Sequence, residues 1–456
     1  MAVHSQCSVD VAVVGAGPKG AALAAKVHVL NELGMADLKL AVIERSELAS
    51  SWTGRNGFTT GREEMGTRPE KDVGFPYQSL LYGARNKDVD AAMMQFSWQS
   101  YLVAKGEYRR WIDSGVPHPC HREFAEYLQW VFARAVRGVT ILKADIVRAI
   151  QDGARWQLQC RRACGDTLEV AVKLGMVMTG TGAPRDIPGA AEVRQQVVTP
   201  AMQRDAILAL NLGLTPKVCI VGVGESAASM AIHLIETLGG GIDLTFVAPT
   251  LPFSRAESFL ENSVYSAAHL SQWETLPESV RMQLISRTDR GVISPAALER
   301  LSRHRNLKFV LGQVKSLKRS STGEVNVVID QSDEIIRLDF DVVANCIGFC
   351  PLSPLVTLLG DATAAMEKKL NLCIGDAGTV SRQLDASFAL RGLEPKIHLP
   401  GLAGLLYGPG FGNLSCLGTM SDRILSAYTT SVLPATHHPI NRAPAKASSA
   451  YLSAVA

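Results

Sequence analysis

Apolar positions near the start of the chain follow two different rhythms. Val9–Val14 (VDVAVV) is a short apolar run closed by glycines, the pattern of a buried strand. From Ala21 to about Leu33, Ala, Val and Leu dominate a helical stretch, and Leu38–Ile43 is a second apolar run ending on Glu44. Strand, glycine turn, helix and strand in that order predict a doubly wound unit, whose parallel strands need a helical crossover. The same grammar returns past mid-chain. Lys217–Val221 reads as a strand, Gly222–Ser226 as a glycine turn, and Ala227–Leu238 as a helix stopped by the glycines at 239–241. Leu244–Val247 is the next strand. No short-period repeat accompanies this recurrence.

Two further apolar runs, Met176–Met178 and Phe340–Cys346, flank the second unit. The first leads into the Gly/Pro-rich segment Thr179–Pro188, the second into Ile347-Gly348-Phe349. They predict where the chain leaves the first unit and returns to it. The expected fold is α/β with two dinucleotide-binding, Rossmann-like domains, the first one discontinuous and the second inserted into it. The expected boundaries are 1–195 and 340–432 for the first domain, 196–339 for the second, and 433–456 for a Pro/Ala/Ser/His-rich tail with little order. Phe96–Leu102 and His121–Trp130 carry aromatics at helical spacing and read as core faces.

Composition narrows this picture. With 456 residues, 47% apolar and 20% charged, the chain is long enough for two or three domains with sizeable cores. A net charge of +3, with both signs spread along the chain, leaves no nucleic-acid footprint. The nine cysteines are scattered without a CxxC; the spacings Cys160/Cys164 and Cys346/Cys350 read as isolated reduced thiols. No secretory leader and no apolar run of about 18 residues is present, so a cytoplasmic protein is expected.

The first glycine turn, Gly15-Ala16-Gly17-Pro18-Lys19-Gly20, fits GxGxxG. Its first glycine permits the turn, its second lets backbone approach a pyrophosphate, and its third lets helix and strand pack closely. The following helix offers free N–H groups and partial positive charge to phosphates. Glu44, ending the next strand, is placed to accept from ribose hydroxyls, which suits FAD or NAD. The second turn, Gly222-Val223-Gly224-Glu225-Ser226-Ala227, is a shortened relative in which the small Ser226 stands in for a glycine. No acid ends its next strand, and Arg255 lies just downstream, either as an ordinary solvated arginine or as a partner for a 2′-phosphate. Two such turns predict FAD on the first and NADPH on the second. A disulfide reductase would need a CxxC near the first turn, and sulfur-oxidising or Baeyer–Villiger flavoenzymes an FxGxxxH; neither is present.

Between the turns, Trp52–Tyr77 is rich in glycine, aromatics and charge and is too long for a bland connection. Within it Lys71 reads, by spacing alone, more readily as a surface cation than as a functional one. Taken together, the two turns, Met65-Gly66-Thr67-Arg68-Pro69-Glu70-Lys71-Asp72-Val73-Gly74-Phe75-Pro76-Tyr77, Phe96–Leu102, Glu261-Asn262-Ser263, Arg287–Val292 and Pro409–Leu417 are distinctive. The chain resembles, over nearly its whole length, the flavin-dependent microbial N-hydroxylating monooxygenases of siderophore biosynthesis, and most of all their mycobactin-type lysine branch.

That resemblance implies a role for each matching residue. Lys71 would pair with the substrate α-carboxylate, Asn262 would hold the amino-acid head, Asp289 would lie near substrate and nicotinamide, and Ser415 would sit in the segment closing over flavin and substrate. The flavin side would comprise Gly15, Gly17, Pro18, Gly20, Glu44, Trp52 and Asn413, and the NADPH side Gly222, Gly224, Glu225, Ser226 and Arg255. No catalytic acid–base residue and no metal is expected, and the partners would be a small amine, O₂ and further copies of the chain in a homo-oligomer. Gly66 where the ornithine branch has glutamine, Asp289 in place of asparagine, Cys346-Ile347-Gly348-Phe349 for the family's ATGY, and NLSCLGT for LSDSLLS are departures. They weaken ornithine as substrate and leave lysine, or an acylated lysine, ahead. The implied chemistry is oxygen transfer from a C4a-hydroperoxyflavin to the side-chain amine; N-hydroxylation of ornithine or another primary amine, or a largely uncoupled NADPH oxidase, are the alternatives.

Overall fold

The computed structural model describes residues 5–56, 59–200, 202, 207–210, 212–239, 241–256, 270–332 and 334–429. Asn262, with its neighbours Glu261 and Ser263, and the tail expected from 433 lie outside the described residues.

Among these residues the longest sheet has seven strands. Ser5–Val14 lies at its centre, with Leu40–Glu44 and Val139–Lys143 parallel on one side and Thr167–Met178 parallel on the other. The expected strand Val9–Val14 is therefore longer, and the expected helix begins earlier, as Pro18–Glu32 with Pro18 in its first turn. Proline suits that position because the amide it lacks would have no helical partner. The helix is buried on nearly every side from Pro18 to Leu30, packed between the sheet and helices His121–Arg134 and Leu417–Thr429. Lys26, 1% exposed, is tolerated there because its ammonium lies 2.5 Å from Asp422 Oδ1. Asp422 also accepts from Ser79 Oγ at 2.9 Å and Tyr82 Oη at 3.0 Å.

Asp145–Asp152, Arg155–Arg161 and Thr167–Met178 form an antiparallel meander that extends this sheet, and Lys396–His398 pairs in parallel with Thr167–Met178. The aromatic segments form core as expected: Phe96, Trp98, Tyr101, Phe124 and Tyr127 are all buried.

The second sheet is all parallel: Leu307–Leu311, Asp243–Ala248, Lys217–Val221, Val342–Asn345, Val197–Val198. A three-stranded antiparallel meander, Gln313–Arg319, Val325–Asp330 and Ile335–Phe340, precedes its strand Val342–Asn345. The apolar run expected to return the chain to the first unit from residue 340 thus completes the second sheet. A continuous apolar run suits either parallel sheet, so its pattern does not say which one takes it.

The chain's outgoing and returning segments meet between the sheets, where Ala183–Pro184 pairs with Phe349–Cys350. They approach so closely that a Cβ on Gly182 would lie 1.8 Å from the Cys350 carbonyl oxygen. None of the nine cysteines is in a disulfide. Among the described residues no helix is long and apolar enough to cross a membrane, and no cluster of ligating side chains could hold a metal ion.

Candidate functional site

The first glycine loop joins the central strand to its helix. Gly15 has φ +105°, and a Cβ there would lie 2.8 Å from Thr179 Oγ1. A Cβ on Gly20 would lie 2.5 Å from the Gly15 carbonyl oxygen, so no side chain fits between loop and helix. Gly17, the N-cap, differs: its Cβ would meet nothing within 4 Å. The space a side chain would fill is open in front of the helix N-terminus, where a diphosphate can approach backbone N–H groups. Glu44 reaches this loop, its Oε2 accepting from Ala16 N at 3.0 Å and its Oε1 from Ser46 N at 2.9 Å. Each oxygen keeps a second lone pair for a ribose hydroxyl. These features fit the adenosine diphosphate half of FAD. Trp52, half-buried, packs edge-on against His121 with ring centroids 4.7 Å apart, and against Phe124 at 5.3 Å.

The second loop repeats the open N-cap but is propped differently. Gly222 has φ +118°, and its Cβ would lie 2.5 Å from the Cys346 carbonyl oxygen. A Cβ on Gly224 would have no neighbour closer than 3.8 Å. Glu225 turns away from the cap, its Oε2 accepting from Ser294 N at 2.7 Å and its Oε1 from Ser294 Oγ at 2.8 Å. A cleft of about 640 Å³ runs between the helix Glu225–Leu238 and the first unit, lined by Ser226, Ser229 and His233 on one side and Gly54, Glu63 and His121 on the other. Arg255, considered for a 2′-phosphate, donates from Nη2 to the Gly66 carbonyl oxygen. Its guanidinium therefore links the second unit to the long insert of the first.

That insert carries Lys71, half-buried, with Nζ 5.8 Å from the centre of the Phe75 ring. Its neighbour Asp72 is fully buried and accepts three hydrogen bonds, from Gly74 N at 3.0 Å, Tyr77 Oη at 2.7 Å and Trp98 N at 2.8 Å. Burial pushes the Asp72 carboxyl up to about 6, and these hydrogen bonds hold it from rising further.

Asp289, Asn413 and Ser415 come together at the junction of the units. Asn413 Nδ2 donates to Asp289 Oδ1 at 3.2 Å, and Asn413 Oδ1 accepts from Ser415 N at 2.8 Å. Lys19, inside the first glycine loop, joins them: its Nζ donates to the Gly412 carbonyl at 2.9 Å. Desolvation lowers its ammonium to about 8, opposed by the Asp289 carboxylate. Lys19 and Asp72 were not singled out by their sequence motifs. A cation inside a phosphate-binding loop, and an acid in the middle of the EKDVGFPY stretch, were the available signals.

The structure thus brings Asp289, Asn413 and Ser415 together, and the segment carrying Lys71 meets the one carrying Ser415 where Gly418 N donates to the Phe75 carbonyl at 2.8 Å. Asn262 lies outside the described residues.

Comparison with known proteins agrees with this architecture. A family model described as L-lysine 6-monooxygenase/L-ornithine 5-monooxygenase matches residues 90–345. The chain is 36% identical over 425 residues to L-lysine N6-monooxygenase MbtG of Mycobacterium sp. (strain MCS), covering 91% of this chain and 94% of that protein. It is 35% identical, with the same coverage, to MbtG of Mycobacterium tuberculosis (strain ATCC 25618 / H37Rv). Lysine monooxygenase NbtG from Nocardia farcinica superposes with a TM-score of 0.78 at 31% identity, over 91% of this chain and 99% of that one. The ornithine N-hydroxylase KtzI from Kutzneria sp. 744, solved with reduced FAD, NADP+ and L-ornithine, shares the fold at a TM-score of 0.72 and 19% identity, over 93% and 99% of the two chains.

Proposed function

The chain belongs to the L-lysine 6-monooxygenase/L-ornithine 5-monooxygenase family, and on that premise we propose that it is an FAD- and NADPH-dependent L-lysine N6-monooxygenase, serving hydroxamate siderophore biosynthesis. The observation that carries this reading is the pair of open N-caps at Gly17 and Gly224, with the Lys71 loop built into the first unit between them. Gly15, Gly17, Pro18, Gly20 and Glu44 would hold FAD, with Trp52 and Asn413 beside it. Gly222, Gly224 and Ser226 would receive the NADPH pyrophosphate. Glu225 would hold that loop in shape through Ser294, and Arg255 would brace it against Gly66. We assign residues up to about 196 and from about 346 to a flavin domain, and 197–345 to the nucleotide domain, following the strand pairing.

When bound, the flavin supplies activated oxygen after reduction by the nicotinamide. The protein's own residues position the substrate and exclude water. Lys71 would pair with the α-carboxylate and Asn262 would hold the amino-acid head. The side-chain length of the substrate then decides whether its amine reaches the reacting oxygen. Asp289 and Ser415 would close the site from the junction. The amine must be neutral to attack, although a free lysine amine titrates near ~10.4; a partly apolar pocket lowers that value by disfavouring the cation.

The test is hydroxylamine product from the FAD-loaded protein with NADPH, using L-lysine, L-ornithine and an N-acylated lysine. Product from L-lysine, or preferentially from the acylated form, supports the reading and settles which amine is oxidised. NADPH oxidation that yields only peroxide with every amine overturns it.

A further inference from the structure

Lys71 sits in a turn of the long insert, its N donating to the Arg68 carbonyl, and a lysine there aims at one ligand group only if the turn is rigid. The residues around it explain the rigidity. Asp72 is fully buried beneath Lys71, with its carboxylate at the start of helix Trp98–Lys105. Oδ1 accepts from both Gly74 N and Tyr77 Oη, and Oδ2 accepts from Trp98 N. Every donor facing it is a neutral N–H or O–H. An asparagine in this place would set its amide hydrogens against Gly74 N–H or against Trp98 N–H, whichever way it turned. Tyr77 is held at φ +57°, a left-handed conformation disfavoured for a tyrosine, with its hydroxyl on Asp72. Its ring covers Gly74 so closely that a Cβ there would lie 2.4 Å from it. Val73 N and Phe75 O are fixed from outside, by Tyr127 Oη at 3.3 Å and Gly418 N at 2.8 Å.

We propose that Asp72 is a positioning residue for substrate recognition: by gathering Gly74, Tyr77 and Trp98 onto one buried carboxylate, it fixes the turn that aims Lys71 at the substrate's α-carboxylate. The inference rests on the reading of Lys71 given above. Asp72 does not touch the substrate. Its effect passes through the direction of the Lys71 side chain, so it bears on binding of the amino-acid head rather than on reaction at the amine.

The experiment compares Lys71→Ala, Asp72→Asn and Tyr77→Phe in the FAD-loaded enzyme, reading hydroxylamine product for kcat and for KM toward L-lysine and NADPH. Asp72→Asn is expected to raise KM for L-lysine about tenfold, and Tyr77→Phe, which removes one of the three donors, about threefold. The KM for NADPH should move less than twofold in both. General loosening of the fold would instead lower kcat and raise both KM values together, and that result overturns the proposal. So does an unchanged KM for L-lysine in Asp72→Asn or, should that variant not fold, in Tyr77→Phe. Lys71→Ala separates the two ideas. If it leaves KM for L-lysine unchanged, the role of Lys71 fails and the Asp72 inference falls with it. If it raises KM while Asp72→Asn and Tyr77→Phe do not, only the Asp72 inference fails.

Discussion

The two glycine loops share a backbone plan but are supported in different ways. In the first, the propping carboxylate comes from outside: Glu44, at the end of the neighbouring strand, grips Ala16. In the second it comes from the loop's own helix: Glu225 reaches across to Ser294. The positions after the second glycine differ as well, Pro18-Lys19-Gly20 against Glu225-Ser226-Ala227. Each loop thus has an acid hydrogen-bonded beside it, supplied from the neighbouring strand in one and from its own helix in the other. On the function proposed above, only the acid at the strand end would also face a ribose, so the first loop would combine support with recognition and the second would separate them.

The largest effects should come from the glycines that are sterically required. Gly20→Ala brings a Cβ 2.5 Å from the Gly15 carbonyl, and Gly222→Ala brings one 2.5 Å from the Cys346 carbonyl at a positive φ. Each is expected to lose roughly 2–3 kcal/mol in urea unfolding, Gly20→Ala in the flavin unit and Gly222→Ala in the nucleotide unit. Equal stability in either variant would break the packing argument for that loop. The next effects separate affinity from stability. Gly17→Ala and Gly224→Ala place a methyl group in open space, so unfolding should change by less than about 1 kcal/mol. Affinity should fall about tenfold or more, for FAD in the first and for NADPH in the second, measured by flavin titration and by KM.

The acids sharpen the comparison at a smaller scale. Glu44→Gln should weaken FAD about tenfold, near 1.4 kcal/mol, the scale of a hydrogen bond to a charged acceptor. Glu225→Gln should cost about 1–2 kcal/mol of stability and leave NADPH affinity less affected. The reverse ranking would show that Glu225, not Glu44, recognises its nucleotide. The last effect is specific to Lys19 and shows only as a slope with pH. Its folded pKa of about 8 lies below the ordinary 10.5, so between those values the unfolded chain binds the proton and the folded chain does not. The flavin-free protein should therefore gain stability as pH rises from about 8 to 10.5, by about 1–3 kcal/mol. Lys19→Met should flatten that slope in melting curves.

Much of this was legible in the sequence because it is local. Lys217–Val221 was placed correctly from its apolar run, and the glycine loops and the core aromatics followed from spacing. What the sequence hid depends on which distant segment arrives. The strand Val342–Asn345 could have joined either sheet, and the alternation of Arg155–Arg161 marks a half-buried strand without saying which sheet it extends. Lys26 looks like an error in an apolar helix until Asp422 is placed beside it. Asp72 reads as one charge among several, and its burial becomes visible only when Trp98 and Tyr77 close over it. Arg255 has no signal for Gly66, since a carbonyl carries no sequence signature.

The seat of Gly418 on Phe75, together with the strand Lys396–His398 beside Thr167–Met178, sets an order of events during synthesis. The nucleotide unit is one continuous stretch and can close as soon as Asn345 has emerged. The flavin unit is begun before it and finished after it, because Leu417–Thr429, which packs on helix Pro18–Glu32, is translated after the nucleotide unit. A nascent chain halted near residue 390 would carry a completed inner unit on an outer one whose helix Pro18–Glu32 is still bare on the face that Leu417–Thr429 covers. Shortening the chain from its far end should therefore harm its oldest part, and solubility rather than nucleotide binding should fail first.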